Sequence, residues 1–70
     1  MDAAAVLALV TKGLTIIATL VEAGRNVQPA LQALVDLVTK HEQGTVTQAD
    51  LDATEALLDA QIADFNTDLP

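Results

Sequence analysis

The residue types that do covalent or acid–base chemistry are scarce in these 70 residues. There is no Ser, Cys or Tyr. His41 is the single histidine, and histidine is the one side chain whose ordinary pKa lies near neutrality. It falls near the end of an apolar-periodic segment, where a cation complements a helix dipole, and no Ser or Cys is on hand for it to activate. A boundary or capping role therefore suits it better than catalysis. The paired carboxylates could in principle exchange protons, but they fall on a polar helix face with nothing to desolvate them and raise a pKa. The run Asp50-Leu51-Asp52-Ala53-Thr54 shares its spacing with a calcium loop. It lacks the central Gly, and Gln61 stands where the bidentate Glu belongs, so it reads as the first turn of a helix.

Gly13, Gly24 and Gly44 are isolated and form no phosphate cradle. With Lys12, Arg25 and Lys40 as the only cations and Phe65 as the lone aromatic, the chain is not equipped to bind nucleic acid. No catalytic residue, cofactor or metal site is expected; the expected function is binding, with protein subunits as the partners.

Three segments carry helical periodicity, which makes the expected fold all-α: a three-helix bundle, or a helical hairpin plus a third helix, assembled with partners. The first segment covers about 2–23, is rich in Ala and Leu, and stops at Gly24. At 100° per residue, Thr11, Lys12, Thr15, Thr19 and Glu22 share one arc, while the large aliphatics from Val6 to Val21 spread over roughly 180°. That is wider than the stripe of an ordinary surface helix. Gly13 within it permits either a close helix contact or nothing more than a tolerated break. The second segment, 28–43, has Asn26 or Gln28 at its cap, Pro29 in its first turn and Gly44 at its end. The third, 48–65, starts with the strongest local signal in the chain. Thr47 is a natural N-cap and Asp50, three residues on, is its capping-box partner. Residues 66–70 read as a frayed tail.

The expected core is Leu9, Ile16, Leu20, Leu31, Leu34, Val38, Leu51, Leu58 and Ile62. The third helix also carries a second seam, Ala49, Ala53, Ala56, Ala60 and Ala63, at heptad spacing. Such small residues let a neighbouring helix approach closely, although Ala is also simply the best helix former on a solvent face. Candidate interface residues are these five alanines together with Leu9, Ile16 and Leu20 of the over-apolar first helix. A chain this short needs a staple to fold well. With no Cys for a disulfide, self-association or a larger partner is the one left.

The net charge of −7 is confined to the C-terminal part. Through Lys40 the acidic Asp2, Glu22 and Asp36 balance the three bases, whereas beyond it seven carboxylates meet no Lys or Arg. That face either meets a basic surface or keeps an apolar protein soluble. No secretory signal is expected, since Met1-Asp2 offers no basic n-region. The apolar stretch 3–21 has the length of a membrane span, but Lys12 at its middle and three threonines argue against one.

The stretch Gly44-Thr45-Val46-Thr47-Gln48-Ala49-Asp50-Leu51, with Glu55-Ala56-Leu57-Leu58-Asp59-Ala60-Gln61-Ile62 and Asp64-Phe65-Asn66, resembles the C-terminal part of small proteins encoded by tailed bacteriophages. The apolar helix followed by Glu22-Ala23-Gly24-Arg25 and a second helix is similar too. The resemblance covers most of the chain, is carried by helix caps and apolar spacing, and supplies no site residues. It implies a structural or accessory protein of the phage particle, placed in the virion or the host cytoplasm. Two other functions remain open: an acidic inhibitor of a host protein acting through the third helix, and a holin-like membrane protein built on the first.

Overall fold

The computed structural model describes residues 3–68. Within them the chain forms three helices and no strand: α1 (Ala3–Glu22), α2 (Gln28–Gln43) and α3 (Gln48–Thr67). The expected start at Asp2 and the last two tail residues lie outside the described range. Each connection is short because each helix end is chemically defined. Gly24 and Gly44 sit at φ 74° and 72°, the left-handed conformation that suits glycine. Around Gly24, the Arg25 N–H reaches back to Leu20 O (2.8 Å) and the Gly24 N–H to Val21 O (3.0 Å). Thr45 and Gly44 repeat the pattern on Lys40 O and His41 O (2.9 and 3.1 Å). These are Schellman closures, which satisfy carbonyls that a helix end leaves unpaired.

The capping box of α3 is complete. The Asp50 N–H donates to Thr47 Oγ1 (3.2 Å) and the Thr47 N–H donates to Asp50 Oδ2 (3.0 Å). At α2 the cap position itself is Val27, with Asn26 one residue earlier. Asn26 still serves the first turn, since its Oδ1 accepts from the Gln28 N–H at 3.1 Å. The third helix continues through Thr67, so Asn66 and Thr67 are helical rather than tail. Thr67 Oγ1 donates to Ala63 O at 2.9 Å, and the Asp68 N–H closes on Asp64 O at 3.2 Å.

The helices pack up–down–up, with α1 and α3 running the same way, because Lys12 meets Asp59 while Arg25 meets Asp68. Each helix buries one seam. Val6, Leu9, Gly13, Ile16 and Leu20 of α1 are spaced 3, 4, 3, 4; α2 gives Ala30, Leu34 and Leu37; α3 gives Leu51, Thr54 and Leu58. Thr54 is buried at no hydrogen-bonding cost, because its Oγ1 donates to Asp50 O at 2.9 Å. The core expectation needs correction at Leu31 and Val38, which are exposed, and at Ile62, which only packs against the core edge. Leu31 and Val38 lie one step round α2 from its buried seam, on the side away from α3. Val6, Ala30 and Leu37 are core residues in addition to those expected. Gly13 is a close-approach glycine: a Cβ there would stand 2.7 Å from Leu34 Cδ2.

Candidate functional site

The threonines on the polar arc of α1 are occupied with their own helix. Thr11, Thr15 and Thr19 each donate to the carbonyl four residues earlier, at 2.9, 3.1 and 3.1 Å, which quiets polar groups that would otherwise compete with helix.

The charged side chains tie α3 to both other helices, along its edge with α1 and along its edge with α2. Lys12 of α1 reaches Asp59 of α3 at 2.8 Å and Glu55 at 3.9 Å. Lys40 of α2 reaches Asp50 at 2.8 Å, and Arg25 after α1 reaches Asp68 at 2.6 Å while lying over the Phe65 ring. All three bases of the chain are therefore committed to α3. The hydrogen bond from Lys40 and the Thr47 N–H together hold the Asp50 carboxyl below its ordinary pKa. Hydrogen bonds to Asp59 and Asp50 raise Lys12 and Lys40 above theirs. Exposed pairs of this kind add little stability one by one; their effect is to fix which face of α3 meets α1 and α2.

The sign of the Asp50 shift sets a pH dependence. A carboxyl with a depressed folded pKa stabilises the fold above its unfolded pKa, and this contribution is lost as pH falls through the folded value. The raised lysines act oppositely: their contribution is complete below the ordinary lysine pKa and is lost as pH rises through the shifted ones. We expect Asp50→Asn to lower the thermal midpoint at neutral pH. That deficit should shrink as pH falls below the ordinary carboxylate range, because wild type then loses the same interactions. An Asp50→Asn deficit that is constant from neutral to strongly acidic pH would contradict the role assigned to this carboxylate.

Among the described residues, the exposed face of the α1–α2 pair carries no such network. Beside the buried seam of α1 runs a second aliphatic series at the same spacing, Leu7, Val10, Leu14, Ile17 and Val21. Leu7, Leu14 and Val21 are 66%, 56% and 56% exposed. Leu31, Val35 and Val38 of α2 are exposed next to it. Between the helices Val10, Leu14, Leu31, Leu34, Val35 and Val38 line an open groove of about 360 Å³, bordered by Thr39 and Glu42. A smaller hollow against Leu7, Val10 and Val38 continues it towards Ala3 and His41. This apolar face, on the side of the α1–α2 pair away from α3, is the strongest site candidate in the molecule.

The expected interface residues divide. Leu9, Ile16 and Leu20 are buried in the protein's own core and present no surface to a partner, a correction that follows from α2 and α3 closing over that seam. Ala49, Ala53, Ala56, Ala60 and Ala63 are all exposed on α3, across the helix from its buried residues, with Ala53 at the edge of a hollow shared with Ala33, Leu37 and Lys40 of α2. The structure does not bring the two sets together. The wide apolar arc of α1 holds two heptad seams, one buried in the fold and one left outside. His41 is exposed at the end of the groove, and among the described residues no three His, Cys, Asp or Glu side chains converge as a metal site would require.

No protein-family model, curated protein or solved structure matches this chain. The functional reading therefore rests on the two faces just described.

Proposed function

We propose that this protein is a non-enzymatic interaction module, a structural or accessory component of a phage particle that binds protein subunits through the apolar face of α1 and α2. The observation that carries this reading is the second aliphatic seam of α1. Contiguous exposed apolar surface of this extent on a small domain ordinarily marks an interaction site, and an aliphatic groove between two helices is a natural seat for another helix. The likeness to small tailed-phage proteins supports setting the assembly in a particle.

The inhibitor reading draws less support. Asp50, Glu55, Asp59 and Asp68 each already contact a base of the same chain, which leaves Asp52 and Asp64 as the uncompensated carboxylates of α3. The holin-like reading has one observation in its favour: α1 is long and apolar enough to cross a membrane. Against it, α1 contributes five residues to the core of the bundle, and spanning a membrane would require that core to open.

Fractionation of infected cells tests the proposal. Wild-type protein is expected with purified particles, and Leu14→Glu, which places a charge in the exposed seam, is expected to leave them. Recovery of wild type in the membrane fraction, or free in the cytosol with no association, would count against it.

A further inference from the structure

We propose that the apolar face of α1 and α2 takes a second copy of this same chain, packed antiparallel about a twofold axis near residue 12, so that α1 and α2 of both copies form a four-helix layer with the two α3 helices outside. This deepens the interaction-module reading and rests on it for the face, not for the particle.

Three observations select a second copy over another occupant. The first is that the exposed seam complements itself. Reversing the 3, 4, 3, 4 series about residue 12 sets Leu7 opposite Ile17 of the other copy, Val10 opposite Leu14, and Ala3 opposite Val21. Every layer then pairs aliphatic with aliphatic, which is what knobs-into-holes packing between two helices requires. Lys12, nearest the axis in sequence, is drawn away to Asp59 on the α3 side and leaves the seam uncharged.

The second is charge. Each chain carries −7, so copies repel unless they meet where the carboxylates are absent. The back of α3 fails this condition, because Asp52, Glu55, Asp59 and Asp64 flank its alanines. The α1–α2 groove meets it, with Glu42 at its border as the single carboxylate among its lining residues.

The third is area. Leu7, Leu14, Val21, Leu31, Val35 and Val38 are each between 39% and 66% exposed on this face, and a symmetric pair covers that apolar surface on both copies at once. A twofold contact uses the same patch on both copies and closes at two.

Sedimentation equilibrium of the full chain over roughly 1 μM to 1 mM covers the dissociation constants expected of such an area. The expected result is a monomer–dimer equilibrium. Leu14→Glu and Leu14→Lys should each raise the dissociation constant by at least about a hundredfold, since an unpaired charge in an apolar interface is strongly disfavoured. Their helicity by circular dichroism should match wild type, because Leu14 is outside the core. An equimolar mixture of the two variants should regain the dimer: with Leu14 set beside Val10 of the other copy, the two substituted positions lie about one helical turn apart across the axis, within reach of a Glu–Lys pair.

A wild-type chain that stays monomeric throughout overturns the proposal. So does a dimer that survives Leu14→Glu but is lost in Ala56→Glu, which would move the contact to the back of α3. Cosedimentation of a monomer with phosphatidylcholine vesicles also overturns it, by assigning the face to lipid. The two readings fail separately. If the monomer still joins phage particles through Leu14, the dimer is wrong and the interaction module stands. If the dimer forms but never accompanies particles, the dimer stands and the particle role is wrong.

Discussion

Replacing Leu58 with Ala is expected to cost about 2–5 kcal/mol, as truncation of a buried leucine does. Leu58 is 0% exposed and is one of the largest fully buried side chains in the protein, along with Leu20 and Leu37. It is the most fully buried residue of α3, within the core that all three helices share. Domains of ordinary size have about 5–15 kcal/mol in total, and one of 70 residues sits near the low end, so the variant should be largely unfolded at physiological temperature. Urea titration followed by circular dichroism gives the magnitude. The neighbouring position supplies the control: Ala56 is exposed, and Ala56→Gln should shift stability by no more than about 0.5 kcal/mol. A loss at Leu58 below about 0.5 kcal/mol would mean that α3 does not dock as described.

The parts of this architecture written most clearly in the chain are those governed by local chemistry. Thr47 with Asp50, and glycines placed after the last apolar residue of a helix, define boundaries through hydrogen bonds made within a few residues, and the structure places α1, α2 and the start of α3 within a residue or two of those signals. The end of α3 was less legible because no glycine or proline marks it before Pro70; Thr67 and Asp68 close it through their own hydrogen bonds. Which apolar residues are inside was only partly legible. Leu31 and Val38 have the same character as Leu34 and Leu37, and periodicity places all four on one broad face. What separates them is the side on which α3 docks, and that is settled by contacts distant in sequence. Lys12 with Asp59, Lys40 with Asp50 and Arg25 with Asp68 all lie where α3 has docked on one side of the α1–α2 pair. The same docking converts Leu9, Ile16 and Leu20 into core and leaves Leu7, Leu14 and Val21 outside. The candidate site is therefore a consequence of which side of the α1–α2 pair is covered by the buried seam of α3, Leu51, Thr54 and Leu58.

The second large effect is expected at Gly13, where two physical tendencies oppose each other. In the middle of a helix Ala is favoured over Gly by about 1 kcal/mol, so on propensity alone Gly13→Ala should stabilise. The added Cβ, however, would meet Leu34 Cδ2 at 2.7 Å, Cδ1 at 2.8 Å and Cγ at 3.1 Å. Because Cγ is close as well, swinging the methyl groups to another rotamer does not clear the contact; Leu34 itself must shift by a few tenths of an ångström, which its place between the core and the α1–α2 groove, 4% exposed, resists. Overpacking of this kind costs about 1–3 kcal/mol, so Gly13→Ala should be destabilising on balance, and Gly13→Leu should lose about 3 kcal/mol or more. The diagnostic measurement is a double-mutant cycle. Leu34→Ala alone should cost about 2–5 kcal/mol by emptying its site. In that background the obstacle is gone, and adding Gly13→Ala should now stabilise by about 1 kcal/mol, the helix-propensity gain. A reversal of sign between the two backgrounds is the coupling expected of positions 13 and 34 in contact. If Gly13→Ala stabilises the wild-type chain as well, Leu34 can move aside, and the close approach of α1 to α2 at this point is not what the glycine is there to permit.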